Sequence, residues 1–141
     1  MTALEDLRPG LRHRATIRVS EQMAVPAQGR MMGGTAEMPP VFATANMIAF
    51  VEWTCVAALA PYLAPTQRTV GTRVEMIHSA ATPIGMAVTA EIELVEFDGS
   101  RLRFKVSVRD ESEPIGEGFH ERTIVDHDRF MARLARKTRP A

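Results

Sequence analysis

One acidic residue, Glu52, lies in the middle of a long apolar segment. The segment runs from Val41 to Leu63, VFATANMIAFVEWTCVAALAPYL, and Glu52 is its only charged residue. A buried carboxylate is costly unless it is paired, neutralised or solvated in a cavity, and such groups concentrate at functional sites. Glu52 is therefore a candidate catalytic acid, base or nucleophile. The alternative is a place on the one polar stripe of a helix.

The segment around Glu52 predicts a buried helix rather than a membrane span. Pro39 and Pro40 suit the approach to a helix, and Pro61 predicts its termination or a kink. Glu52 and Asn46 inside the segment, and strand signals through the rest of the chain, oppose a span. A helix that is apolar nearly all round fits the core of a sheet that wraps it.

A histidine is predicted to face this helix from a strand. Between Thr69 and Ser79 the hydrophobic pattern changes to a period of two. One face then carries the residues Val70, Val74, Met76 and His78, and the other carries Arg73 and Glu75. An inward imidazole is a candidate acid or base, although a single inward histidine is more often a satisfied core residue.

Four further strands follow from the same alternation, over residues 12–19, 86–94, 101–109 and 115–125. Turn residues separate them, as in Asp98-Gly99. Each strand has one polar and one apolar face, which is typical of an antiparallel sheet covered on one side. Asp126 or Asp128 is predicted to cap a short last helix that holds Phe130 and Leu134. We expect one α+β domain over residues 1–141: a long helix wrapped by about five strands.

Composition limits the classes of partner. The 141 residues include 17 Lys and Arg and 17 Asp and Glu, so no net charge attracts nucleic acid or an anionic membrane. The first residues contain acids and no apolar core of a secretory signal. The single cysteine, Cys55, cannot form an internal disulfide and suits a reducing compartment. We expect a cytoplasmic protein in which Cys55 is a small buried hydrophobe, with no metal and no cofactor.

Residues Glu21 to Pro40 are rich in Met, Gly and Pro and predict a long loop. Loops of this length inside a compact domain are commonly functional. We therefore interpret the segment as a substrate lid.

Three separated segments together resemble the fluoroacetyl-CoA thioesterase type of hot-dog thioesterase. They are VFATANMIAFVEWTCVAALAPYL, VGTRVEMIHSAATPIGMAVT and IGEGFHERTIV, and the resemblance extends from about residue 8 to the C-terminus. It implies a hot-dog fold and hydrolysis of an acyl-CoA. By position it implies catalytic roles for Thr44, Glu52 and His78, and substrate-binding roles for Gly71 and Arg122.

The spacing of these residues is compatible with that implication. Thr44 and Glu52 are eight residues apart, so on a helix they differ by only about 80° in direction and are about 12 Å apart along the axis. A hydroxyl, a carboxylate and an imidazole at one cleft are the groups that acyl transfer to water requires. We expect His78 to act as acid or base, with Glu52 as its partner or as the attacking carboxylate. Thr44 is either a nucleophile or a hydrogen-bond donor, and helix N–H groups would polarise the thioester oxygen.

The predicted lid departs from the family pattern. Fluoroacetyl-selective members carry phenylalanines before the helix, where this chain has Thr35 and Met38. Methionines such as Met31 and Met32 could fill the same space with a more adaptable surface. We expect the reaction class to be retained and the substrate to be a short acyl-CoA of undefined acyl group.

The implied partners are an acyl-CoA substrate and a second copy of the chain, because an open sheet edge favours a homodimer or a dimer of dimers. Two basic sets are candidates for the CoA phosphates: Arg101, Arg103, Lys105 and Arg109 on one strand, or Arg133, Arg136, Lys137 and Arg139 near the end. For each set taken alone, a solvated surface is the favoured interpretation. A hot-dog enoyl-CoA hydratase and a non-catalytic acyl-CoA or small-ligand binding module are the alternative functions.

Overall fold

A single antiparallel sheet forms the framework of the protein. The computed structural model describes residues 3–139. The strands are β1 (Arg12–Arg18), β2 (Gln67–His78), β3 (Ala87–Phe97), β4 (Arg101–Asp110) and β5 (Pro114–Asp126). Their spatial order is β1-β3-β4-β5-β2, and every neighbouring pair is antiparallel. The predicted number of strands is confirmed, with β1 and β2 at the two edges.

The long apolar segment is the central helix that the sequence predicts. It forms α2 (Thr44–Leu59) and continues as a 3₁₀ turn at Ala60–Tyr62, which contains Pro61. Its inner side is buried against the strands through Met47, Phe50, Val51, Cys55 and Leu59. The stretch Thr44–Tyr62 could cross a membrane by length and composition alone, a test that the core helix of a soluble protein also passes.

The alternation of buried apolar and more exposed polar residues along β3 and β4 follows the sequence prediction. The inward residues of both strands are all at most 2% exposed. They are Val88, Ala90, Ile92 and Leu94 on β3, and Leu102, Phe104, Val106 and Val108 on β4. Since this face is apolar and the other is charged, a one-residue slip would bury the charges. The sheet therefore has one possible orientation toward α2.

In β2 the predicted face is wrong at one residue. A register shift between Gly71 and Arg73 interrupts the pairing of β2 with β5. Val74 lies beside His120 and Phe104 on the helix side, whereas Val70 lies beside Thr123 and Arg101 on the outer side. The extra residue of the bulge reverses the alternation, so that Gly71 rather than Val70 faces the helix.

The segment between Glu21 and Pro40 contains more structure than the predicted loop. It forms a 3₁₀ turn at Glu21–Met23 and a short helix, α1 (Val25–Met31), with Pro26 in its first turn. The Gln28 side chain donates a 2.5 Å hydrogen bond to Asn46 on α2. The first part of the segment is thus attached to the central helix, and only residues 32–40 lack regular structure.

The C-terminal helix is present as predicted, as α3 (His127–Ala135), followed by a 3₁₀ turn at Arg136–Thr138. Asp126 is its N-cap, because its side chain accepts a hydrogen bond from the Arg129 N–H. The Asp98-Gly99 turn is also confirmed. Gly99 has φ +102°, and Asp98 accepts hydrogen bonds from two backbone N–H groups.

A buried polar pair fixes the start of α2. The Thr82 hydroxyl donates to Asp110 Oδ2 at 2.8 Å, and the Thr82 carbonyl accepts from the Phe42 N–H, two residues before α2 begins. Burial would raise the pKa of the Asp110 carboxyl, but hydrogen bonds from Thr82 and from the backbone of Ser112 and Glu113 hold it below its ordinary value. The contact connects the end of β4 to the entry of the central helix.

We expect Thr82→Val to lower the free energy of unfolding by about 1–3 kcal/mol, because it leaves a buried carboxylate oxygen without its donor. The matched control is Thr16→Val, which removes an exposed hydroxyl that contacts Thr89 across the outer face and should change stability by less than about 0.5 kcal/mol. Urea denaturation at pH 7 measures both. Equal losses in the two variants would show that the buried pair has no special role.

Candidate active site

Thr44 and His78 meet at the start of the central helix. Thr44 is the first residue of α2, and His78 is the last residue of β2. The Thr44 Oγ1 and His78 Nδ1 atoms are 2.7 Å apart, a hydrogen-bond distance. Thr44 is exposed, so its hydroxyl is open to an incoming ligand. The first N–H groups of α2 lie at the same place, where a helix leaves backbone donors free.

The second nitrogen of His78 has a different environment. His78 Nε2 is buried and has no hydrogen-bond partner among the described residues. If Nδ1 accepts the Thr44 proton, Nε2 must carry the imidazole hydrogen; if Nδ1 donates, Nε2 is a bare acceptor. In either tautomer the hydrogen bond aligns the Thr44 hydroxyl with an imidazole, which is the geometry that activates a hydroxyl or uses it as a donor.

Glu52 is not the isolated acid that its sequence context suggests. Its side chain is 36% exposed, and Arg122 Nη1 donates to Glu52 Oε2 at 3.0 Å. The Arg122 side chain is only 7% exposed. Glu52 is therefore a half-buried, paired acid that also lines a cavity.

Arg122 is held from several sides. Its Nε and Nη2 donate to the hydroxyl and the carbonyl of Thr69, both at 2.9 Å, and Nη1 also contacts His120 Nε2 at 3.1 Å. A guanidinium presents its donors in a rigid fork, so these contacts fix its orientation. They direct the remaining Nη1 donor at Glu52.

His120 is a site residue that the sequence analysis missed. It lies two residues before Arg122 on β5, is 1% exposed, and its Nε2 is 3.7 Å from Glu52 Oε2. Burial lowers the pKa of this imidazole and the Arg122 charge lowers it further, against the hydrogen bond to the Arg73 carbonyl and the Glu52 and Glu121 carboxylates. The period of two, which places His120 and Arg122 on one face, was the available signal.

Gly71 leaves the space that Glu52 occupies. A Cβ at this position would lie 2.5 Å from Glu52 Oε2 and 3.3 Å from both Arg122 Nη1 and His120 Cε1. The bulge turns this residue inward, and the absence of a side chain leaves room for the Glu52 carboxylate. Any side chain here would displace the Glu52 carboxylate.

Within one protomer the candidate residues therefore form two groups. Thr44 and His78 lie at the start of α2, whereas Glu52, Arg122, His120 and Gly71 lie two turns further along it. The two groups are about 12 Å apart along the helix axis. Glu52 has Arg122 as its partner in place of the expected His78.

A cavity of about 880 Å³ opens beside the second group. Glu52, Thr69 and Arg122 supply polar groups, and the apolar walls come from Trp53, Val56, Ala60, Leu63, Ala64 and Pro65. Such a combination suits a ligand with an apolar body and a polar end. Cys55 is fully buried in the core, and burial raises the pKa of its thiol to about 12, so it is a core residue as predicted rather than a nucleophile.

The predicted lid residues Thr35 and Met38 lie in the irregular part of their segment. Thr35 Oγ1 accepts a hydrogen bond from the Glu37 N–H, and Met38 is 49% exposed. Met31 and Met32 are more exposed still. The methionine-rich surface that the sequence predicts is therefore present and uncovered.

The two predicted basic sets differ in their surroundings. On β4, Arg103 forms ion pairs with Glu121 and Glu75, and Arg101 lies 3.7 Å from Glu121. The C-terminal set is exposed, and no ion pair involves it in the described part of the chain. Over residues 3–139, no three His, Cys, Asp or Glu side chains are grouped to hold a metal.

Comparison with known proteins supplies the family. Residues 19–128 match the model of the fluoroacetyl-CoA-specific thioesterase family. The fluoroacetyl-CoA thioesterase of Streptantibioticus cattleyicolor is 45% identical over 103 residues, which are 73% of this chain and 74% of the relative.

Solved structures agree with this match. The structure of the fluoroacetyl-CoA thioesterase FlK has a TM-score of 0.89 at 38% identity and covers 95% of this chain and 98% of its own. A thioesterase superfamily member from Thermus thermophilus has a TM-score of 0.81 at 25% identity, over 92% of this chain and 91% of its own. The fold is the hot-dog fold, and the chain belongs to the fluoroacetyl-CoA-specific thioesterase family.

Proposed function

We propose that this protein hydrolyses a short-chain acyl-CoA at a site that two protomers complete together. Family membership makes it a thioester hydrolase. The observation that supports the location of the site is the 2.7 Å contact between Thr44 and His78 at the N-terminus of α2. The direct test is release of free CoA thiol across short, branched and aromatic acyl-CoAs. A hydratase or a binding module would release none.

The chemistry divides between the two groups. Backbone N–H groups of the first turn of α2 polarise the thioester oxygen, and the Thr44 hydroxyl, aligned by His78, donates to the acyl group. The Glu52 carboxylate supplies the nucleophile, either by direct attack or by taking a proton from water. In direct attack, the carboxylate forms a mixed anhydride as the C–S bond breaks and CoA leaves as thiolate, and water then hydrolyses the anhydride to the free acid and restores Glu52. In the water route, the hydroxide forms the new C–O bond as the C–S bond breaks, and the proton held by Glu52 passes to the CoA thiolate. Arg122 holds Glu52 in place for this step.

A second protomer explains how the two groups act on one substrate. β2 is a sheet edge, and the helix side of this edge is uncovered: Trp53 is 71% and Val74 is 42% exposed. An exposed edge with apolar neighbours is a pairing surface. When two copies of β2 pair antiparallel about a two-fold axis, the His78 end of one lies beside the Gly71 half of the other. Thr44 and His78 of one copy then face Glu52 and Arg122 of the other.

The state of the single cysteine bears on the cellular location that we propose. The one free cysteine is buried, so the protein needs no oxidising compartment. We therefore assign the enzyme to the cytoplasm, acting on acyl-CoA as a homodimer.

Mixing inactive variants tests the shared site. Thr44→Ala and Glu52→Gln homodimers should each lose activity, but a scrambled one-to-one mixture should regain about a quarter of the wild-type rate, because half of the dimers then contain one intact site. Light scattering should show dimers throughout. A mixture as inactive as its components would place all the catalytic residues in one protomer.

Glu52→Gln alone should lower turnover by at least about 100-fold, the lower end of what acid–base groups contribute. Stability should fall slightly rather than rise, because buried Arg122 loses its charged partner but keeps a hydrogen-bond acceptor. The control is Glu121→Gln, which removes a carboxylate paired with Arg103 on the outer face. Near-normal turnover of folded Glu52→Gln would remove Glu52 from the mechanism.

From the composition of the lid segment we expect weak selectivity between fluorinated and unfluorinated acyl groups. Thr35 and Met38 replace an aromatic wall, so discrimination between acetyl-CoA and fluoroacetyl-CoA rests on pocket fit, which is limited to about 10–200-fold for one small substituent. We expect the two kcat/KM values to lie within that range. A preference for fluoroacetyl-CoA beyond about 1,000-fold would mean that the methionine-rich segment forms an equivalent gate.

A further inference from the structure

His120 occupies a position between the catalytic carboxylate and the backbone of the edge strand. Its Nδ1 lies 2.8 Å from the Arg73 carbonyl, its Nε2 lies 3.1 Å from Arg122 Nη1, and its Nε2 lies 3.7 Å from Glu52 Oε2. The side chain is 1% exposed, so water cannot substitute for these partners. Neither the lid nor the substrate cavity contacts it.

These contacts specify the tautomer. The Arg73 carbonyl can only accept, so Nδ1 must carry the hydrogen that it donates. Arg122 has no acceptor, so Nε2 must be the bare nitrogen that receives the Nη1 hydrogen. The imidazole is therefore neutral, with its hydrogen on Nδ1 and its lone pair directed at Arg122.

We propose that His120 is a positioning residue whose neutral imidazole holds the Arg122 guanidinium against Glu52. The inference rests on the proposed function, in which Glu52 supplies the nucleophile. Thr69 fixes Arg122 from the opposite side, through Nε and Nη2. His120 completes the restraint at Nη1, the same nitrogen that binds Glu52.

Protonation of His120 would reverse this arrangement. A second hydrogen on Nε2 would face the Arg122 guanidinium as a like charge and would be attracted to Glu52 Oε2 instead. The charged or titratable groups around His120 are Glu52 from α2, and Glu121 and Arg122 from β5. In addition, β2 contributes the Arg73 carbonyl, and β4 contributes the apolar Phe104.

The direction of the pH effect follows from the burial. Burial first, and then the Arg122 charge, holds the pKa of His120 below 6.5. The unfolded chain therefore binds this proton at a higher pH than the folded protein does. Above pH 6.5 the imidazole is neutral in both states, and stability declines as the pH falls below 6.5 because the unfolded chain takes up the proton first. Within the folded protein the Arg122–Glu52 arrangement is lost only at lower pH, when the pH falls through the lowered pKa of His120 itself.

Two substitutions separate the roles of the ring nitrogens. His120→Gln can place an amide oxygen near the Nε2 position, where it accepts from Arg122 and cannot titrate. His120→Asn can place its amide near Nδ1, where it contacts Arg73 and leaves Arg122 without that acceptor. We expect kcat for His120→Asn to be at least about ten-fold below that for His120→Gln, with a smaller change in KM.

The pH profile gives a readout that a purely structural role would not move. We expect wild-type kcat to decline at acidic pH, as the pH falls through the lowered pKa of His120. His120→Gln should lack this decline, and the surface control His13→Gln should retain it. If His120→Asn matches His120→Gln in kcat, and both keep the wild-type pH profile, the proposal is wrong.

Nitrogen-15 NMR of the wild-type imidazole tests the proposal even if a variant fails to fold. At pH 7 His120 should be neutral, with its hydrogen on Nδ1. A charged ring, or a hydrogen on Nε2, would overturn the assignment. If wild type releases no thiol, the proposed function is wrong, but the NMR experiment still reports the tautomer of His120. Failure of the proposed function and failure of the His120 proposal can therefore be told apart.

Discussion

The buried guanidinium of Arg122 is the constraint on which the candidate site depends. A charged group that is 7% exposed must have its hydrogen-bonding capacity satisfied by the protein. Thr69 on β2, His120 on β5 and Glu52 on α2 provide the acceptors. Because β2 and β5 are neighbours in the sheet and α2 packs on the sheet through apolar side chains, the Arg122 contacts fix where the Glu52 carboxylate lies relative to the two strands.

The same constraint explains the irregularities of β2. Glu52 can reach Arg122 only because Gly71 has no side chain, and Gly71 faces inward only because a bulge shifts the register beside it. A regular strand would direct a different residue at the helix and close the space. The bulge and the glycine are thus part of the site rather than defects of the sheet.

The architecture also explains why the site is divided. The sheet wraps α2 from one side, and two parts of the helix contact different ends of β2. Thr44 at the start of the helix meets His78, and Glu52 near its middle meets the Thr69–Gly71 region. A single protomer keeps these two groups apart. The uncovered edge strand, with Trp53 and Val74 beside it, offers the surface through which a second copy brings them together.

Periodic features of the fold could be predicted from the sequence. The inward faces of β3 and β4 and the central helix follow from apolar periods of two and from the length of one apolar segment, and the structure has them. Features that break a period could not be predicted. The bulge reversed the face of Val70, and tertiary contacts formed α1 inside a predicted loop.

Site residues divide in the same way. Glu52 and His78 were candidates from the apolar segment and the period of two, whereas Thr44, Gly71 and Arg122 came from the family resemblance. The structure groups all five around the two ends of β2. His120 could have been found from its two-residue spacing to Arg122, but nothing in the sequence shows that a histidine on an apolar face has an arginine as its neighbour. That contact depends on the register of β5 with β2 and β4.

A crystal structure of the protein with CoA and a short carboxylic acid product tests this account most directly. The product carboxylate should lie between Thr44 Oγ1 of one protomer and the Glu52–Arg122 pair of the partner subunit, with β2 paired to its symmetry mate. Product bound within one protomer, or a dimer formed through another surface with β2 free, would contradict it.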